Sequence, residues 1–102
     1  MKILAIEKAI PNTTPEQFAP HLKAEAAQIW KLYRSGQLRE NYFRGDRDEA
    51  VLILEFVDVE AADSVLDSLP LVKAGLIEFE VIPLVPYPGF ERLFGKIDPS
   101  WP

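Results

Sequence analysis

The sequence contains no cysteine. That excludes disulfides, a thiolate nucleophile and soft-metal thiolate sites. Its single histidine, His21, leaves no metal-binding histidine pair. No lysine or arginine cluster exceeds two adjacent residues, and the net charge is −5. Gripping a phosphate backbone takes several clustered cations, so nucleic acid is not expected as a partner. The same balance argues against an anionic membrane surface. No apolar run approaches the ~20 residues of a membrane span. The basic start and long apolar region of a signal peptide are missing after Met1, so a cytoplasmic protein is expected. Phosphate loops, dinucleotide fingerprints, Ser-His-Asp sets, internal repeats and low-complexity tracts are all absent.

What is present is ordinary for a globular domain. The chain has 102 residues, 48% of them apolar and 26% charged. That length supports one domain with a modest core. Its organising stretch is residues 51–57 (VLILEFV), the most continuously apolar and β-branched run, which reads as a central strand covered on both faces. Leu52, Leu54 and Phe56 share one face; Val51, Ile53, Glu55 and Val57 share the other. The helices of so short a chain can cover only one of them. The second face is expected to meet a partner subunit.

The rest of the chain arranges itself around that strand. Residues 2–8 (KILAIEK) read as a first strand. Thr14, Pro15, Glu16 and Gln17 mark a helix start, and Gly36 marks its stop. Pro20 is expected to kink the first turns or shift the start. Phe18, Leu22, Ile29 and Tyr33 form the apolar stripe of this helix. Residues 37–44 (QLRENYFR) read as a polar edge strand, joined to the central strand through the charged turn 45–49. Asp58 caps a second helix, with Pro70 ending it. Residues 76–84 (LIEFEVIPL) read as the last strand, with Ile77, Phe79 and Val81 on one face and Leu76, Glu78, Glu80 and Ile82 on the other. The order β-α-β-β-α-β predicts a ferredoxin-like α+β domain over residues 1–85: a four-stranded antiparallel sheet, two helices on one face, and the first and third strands central. Residues 86–102 are rich in proline and aromatics. They are expected to form an arm, with Tyr87, Phe90 and Trp101, that packs on the domain or on a neighbour.

Particular residues in this layout resemble a known family. Ser68-Leu69-Pro70-Leu71 followed by Gly75-Leu76-Ile77-Glu78-Phe79-Glu80-Val81-Ile82-Pro83-Leu84 resembles the end of a muconolactone isomerase-type domain. Leu22-Lys23-Ala24-Glu25 and Arg34-Ser35-Gly36 resemble the first helix of that family and its glycine stop. The likeness covers roughly residues 2–85 and is specific to the dimeric α/β-barrel superfamily. It implies a homodimer, or a higher homo-oligomer, of face-to-face sheets. It also implies a small enzyme that works without a cofactor, the isomerase itself moving a proton within an unsaturated lactone. Residues 37–43 (QLRENYF) lack the tryptophans and histidine found in that strand of the isomerase. Site residues must therefore come from this chain itself.

Glu25 is the most informative of them. It falls beside the core-facing stripe of the first helix, and His21 is one turn earlier, at a spacing that lets side chains meet. A carboxylate pushed toward an apolar cavity has a raised pKa, and an imidazole can share its proton. Together they form a candidate catalytic pair for abstracting a proton next to a carbonyl. If the stripe is rotated slightly, Glu25 becomes a shoulder residue and His21 points to water. Candidate substrate-binding residues are Tyr33 on the same helix and Arg39 and Asn41 on the edge strand. In the opposite strand orientation Leu38, Tyr42 and Arg44 would face the helix. Glu55, Glu78 and Glu80 share a sheet face; ion pairs with Lys2, Lys8 or Arg44 are the expected use, and no metal is expected. Trp30 reads as a packing residue. The expected function is proton transfer on a small hydrophobic carbonyl or lactone compound. Alternatives on the same scaffold are a non-catalytic ligand-binding or assembly protein and a cofactor-free monooxygenase.

Overall fold

The apolar run does form an inner strand, slightly earlier than its composition suggests. In the computed structural model, which describes residues 1–94, the chain begins with β1 (Lys2–Ala9). Pro15 occupies the first position of α1 (Pro15–Phe18), and the Gln17 side chain accepts from the Thr14 N–H at 2.8 Å. Pro20 has no N–H to continue the helix. The backbone tightens there into a 3-10 turn (Ala19–His21), and α2 (Leu22–Ser35) starts afresh. Gly36 ends α2 at φ 83°, a left-handed value that favours glycine.

β2 (Leu38–Phe43) and β3 (Ala50–Glu55) form the expected antiparallel hairpin. Its turn is closed by the Arg44 N–H donating to the Glu49 carbonyl at 2.9 Å. Asp58 caps α3 (Val59–Asp67) by accepting from the Ala61 N–H at 2.8 Å. Pro70 was expected to end this helix, but the helix stops earlier, at Asp67. Pro70 is the first residue of a further short one, α4 (Pro70–Lys73), because a proline at that position forfeits no hydrogen bond. β4 (Ile77–Leu84) follows and tolerates Pro83 at the sheet edge. A 3-10 turn (Pro88–Phe90) and α5 (Glu91–Phe94) begin the arm; Trp101, Pro99 and Pro102 lie outside the described residues.

The four strands lie in the order β2-β3-β1-β4, all antiparallel. The two most apolar strands are therefore the inner ones, as right-handed crossovers require. The domain is a ferredoxin-like α+β fold. Ile3, Ala5, Leu52, Leu54, Ala62 and Leu66 pack between sheet and α3. The other face carries Leu4, Ile6, Val51, Ile53 and Ile82, all half-exposed. Leu76 was expected there but is buried with Leu71 and Ile77. It precedes the strand in a turn, where its N–H donates to the Leu71 carbonyl, so strand alternation does not govern it.

A second expectation fails in a more useful way. The stripe on α2 was expected to enter the core, yet only Ile29 and Leu32 pack against it, both partly buried; Leu22 and Tyr33 are each 53% exposed. The helix packs on the edge strand β2 and on α4 rather than over the sheet centre. That offset opens a cleft beneath it.

Candidate functional site: an apolar cleft beneath the second helix

The cleft has a volume of about 710 Å³. One wall is the displaced stripe of α2, with Leu22, Glu25, Ile29, Trp30 and Tyr33. The opposite wall is β2, residues 39–43. Ala50, Leu52 and Phe79 make the floor, and Leu71 of α4 closes one end. Trp30 and Tyr33 stack with ring centroids 5.9 Å apart, nearly parallel at 19°. Trp30 is thus part of the wall, whereas the sequence marked it only as a packing residue. Mostly apolar walls with a few polar groups suit a small organic ligand.

The register of the hairpin settles which side chains of β2 face this cleft. Asn41 pairs with Leu52 and Phe43 with Ala50, and both partners lie on the helix side. Leu38, opposite Leu54, is also on that side, because a register shift falls between Leu38 and Glu40. Arg39 sits at the irregularity. A bulge re-aims side chains in just this way, so neither of the two alternatives read from strict alternation applies to the whole strand. Tyr42 donates from its hydroxyl to Glu40 at 2.8 Å.

Glu25 is the half-buried carboxylate of the cleft. Burial raises its pKa, while the N–H of Leu71 and the nearby charge of His21 pull it down. The Leu71 N–H donates to Glu25 Oε1 at 3.0 Å, a tie between helices 46 residues apart in the chain. Leu71 stands in the first turn of α4, where N–H groups lack helical partners. His21 is half-buried at the start of α2 and does not line the cleft. Tyr33, Arg39 and Asn41 all line it, so four of the five candidate residues surround one space.

One acidic group escaped the sequence reading. Glu7 is only 8% exposed. It alternates with Ile3 and Ala5, hence faces the helices. Burial raises its pKa, the Ala50 N–H lowers it, and the charges of Glu49 and Glu25 raise it further. The signal was the period of two that links Glu7 to Ile3 and Ala5. It went unused because Leu4 and Ile6 make the opposite face equally apolar.

Among the described residues no three His, Asp or Glu side chains converge on a metal-sized space. Glu55 meets the N-terminal amine at 3.1 Å, and Glu80 meets Lys8 at 4.0 Å. Glu55 is opposite Lys2 on one side of β1, and Glu78 is opposite Lys8 on the other. The expected trio is therefore split between the two ends of the sheet. Among the described residues, no helix is long and apolar enough to cross a membrane.

No family model and no curated protein matches the chain. Solved structures do. A muconolactone isomerase matches with a TM-score of 0.72 at 21% identity, over 86% of this chain and 92% of that one. A 5-chloro-2-hydroxyhydroquinone dehydrochlorinase from Burkholderia phenoliruptrix, solved with 2,5-dihydroxybenzoquinone, matches with a TM-score of 0.66 at 20% identity, over 83% and 94%. Both likenesses rest on backbone geometry shared over most of each chain, and what they establish is that this protein has the ferredoxin-like fold of muconolactone isomerase.

Proposed function

We propose that the protein is a small cofactor-independent enzyme, resembling muconolactone isomerase, that transfers a proton on a small hydrophobic carbonyl or lactone compound. The observation carrying this reading is the half-buried Glu25 carboxylate in the wall of a mostly apolar, aromatic cleft. Such a group has the raised basicity that abstraction next to a carbonyl needs. In this reading Glu25 takes a proton from the carbon beside the carbonyl. The electron pair moves onto the oxygen, and the conjugated system accepts the proton back at another carbon. Arg39 and Asn41 bind the oxygen as it gains charge. Tyr33, stacked on Trp30, supports the flat apolar body. His21 acts from outside the cleft by favouring the ionised form of Glu25. The quinone-type compound bound to one structural neighbour is of the same small carbonyl class. The working form is a cytoplasmic homodimer.

A second reading has its own observation. Glu25 caps α4 through Leu71, a structural use that needs no chemistry. A non-catalytic ligand-binding protein would keep that bond and the cleft.

Deuterium exchange separates the two. A small unsaturated lactone and 2,5-dihydroxybenzoquinone are incubated with protein in heavy water, and exchange at carbon is followed by NMR. Glu25→Gln is expected to slow protein-catalysed exchange roughly 10²–10⁴-fold, the usual cost of losing a general base. Binding of either compound with no exchange above background would favour the non-catalytic reading. Equal exchange by wild type and variant would remove Glu25 from the mechanism.

A further inference from the structure

Exposed apolar side chains are not spread evenly over this molecule. Twelve large ones stand in water among the described residues. Five of them line the cleft: Leu22, Trp30, Tyr33, Tyr42 and Phe43. Five more belong to residues 85–94, where the arm begins. Concentrations of this kind mark surfaces that meet something.

The arm carries a preformed aromatic knob. The Tyr87 ring lies directly on the backbone of Gly89, where any side chain would collide with it. The same ring meets Phe90 edge to face, with centroids 5.2 Å apart and planes at 80°. Pro88 sets the backbone between them, as the first residue of the 3-10 turn. Tyr87 is nonetheless 66% exposed and Phe90 64%. An aromatic pair held in place before contact loses little entropy on docking.

Topology keeps this knob away from the cleft of its own chain. The arm leaves β4, at the sheet edge opposite β2. It leaves from the end where Leu84 pairs with Lys2, whereas Phe79 of the cleft floor pairs with Glu7. A return would cross three strand spacings, about 14 Å, and run back along five residues of strand, roughly 17 Å. The molecule instead measures 63 Å by 29 Å by 20 Å. Its longest strands, of eight residues, span only about 27 Å. The arm therefore projects outward.

We propose that the cleft is completed by a second copy of the chain: the Tyr87–Phe90 knob of each copy seats on Leu22, Trp30, Tyr33 and Phe43 of the other and closes the mouth of its cleft. Reciprocal exchange of arms is a closed two-fold arrangement in which the same contact is made twice. Aromatic side chains are the usual anchors of such contacts. Closure shuts water out of the ligand site. The proposal rests on the cleft being the ligand site, and not on the role of Glu25 within it.

The absence of native cysteine allows a direct test. Leu22→Cys and Phe90→Cys are made as separate full-length proteins, refolded together and treated with a short bis-maleimide. Intact mass then distinguishes the linked heterodimer from either linked homodimer. The heterodimer is expected. Asp63→Cys, exposed on α3, replaces Leu22→Cys as the control and is expected to link only at background. No heterodimer, or an equal yield with Asp63→Cys, overturns the proposal. So does a double variant, Leu22→Cys with Phe90→Cys, that closes its link within one chain. If a cysteine variant fails to fold, Gly89→Ala decides. It pushes the Tyr87 ring from its seat, so the Trp30 indole N–H resonance, assigned with Trp30→Phe, is expected to shift; an unmoved resonance overturns the proposal. Linked arms in a protein that exchanges no substrate protons would overturn the proposed function and leave the shared cleft intact. Proton exchange without linked arms would do the reverse.

Discussion

Glu7 and Glu25 have the same sign of coupling to folding, opposite to that of the hairpin acids. Both have folded pKa values above the ordinary 4.5, chiefly because burial disfavours charge. Such a group binds its proton more tightly in the folded state. Its contribution to stability is fully present below 4.5 and is lost as pH rises through the folded value. Glu7→Gln should therefore raise the melting temperature at about pH 7, and the gain should vanish at about pH 4. Melts of both proteins at the two pH values check this; a neutral-pH loss would mean that the ionised Glu7 stabilises the fold. Asp46, lowered by the Arg44 side-chain bond, and Glu49, lowered first by the Ala9 N–H, run the other way. Their contribution is present at neutral pH and is lost as pH falls through their folded values. Of these directions only that of Glu25 was expected from the sequence, through its place beside the apolar stripe of its helix. A glutamate in KILAIEK looks like any strand-end charge until the register shows what lies opposite.

At the scale of elements, proline and capping chemistry were legible because they are local. Thr14 and Pro15 start a helix, Gly36 stops one, and Asp58 caps α3, each where its backbone preference demands. Asp58→Ala should cost about 0.5–2 kcal/mol, the range for losing an N-cap acceptor. Urea denaturation should show it as a lower midpoint with an unchanged slope; no change would mean that water replaces the cap freely. The position of α2 was not local. Its stripe of Leu22, Ile29 and Tyr33 reads the same whether it fills a core or roofs a cleft. The difference lies in what the helix rests on, an edge strand whose residues 39–43 are all exposed. A bulge near Arg39 adds to this, since it breaks the period-two rule by which facing residues are read.

For the whole molecule, the decisive surface is the sheet face away from the helices. Leu4, Ile6, Val51, Ile53 and Ile82 form a continuous half-exposed apolar surface across the inner strands and β4. Patches of this kind mark interfaces. We propose that two copies pair through it, as a symmetric homodimer, and that the arm beyond residue 85 packs on the domain or on the second copy. Exposed Tyr87 and Phe90, with ring centroids 5.2 Å apart, are its first aromatic contacts. Ile53→Asp should shift the light-scattering mass toward the monomer at micromolar protein without abolishing the fold. A wild-type monomer under those conditions would refute the dimer. Truncation after residue 85 should lower the melting temperature or the oligomer order, and no change in either would refute the packed arm.

By itself the sequence determined the element order, the inner position of β1 and β3, and the choice of Glu25 as the residue to watch. These follow from hydrophobic period, turn and cap chemistry, and the handedness of crossovers, all of which act over a few residues or through simple connectivity. Tertiary structure alone decided that α2 is displaced toward the edge strand, that Asn41 faces the cleft across a bulge, and that Glu25 is bonded to Leu71. It also decided that Glu7 lies beneath the same helix. Asn41 depends on the register of its hairpin, and the Glu25–Leu71 bond on the approach of segments 46 residues apart. Pairings at that separation are selected by the packing of the whole domain, and no short stretch of sequence encodes them.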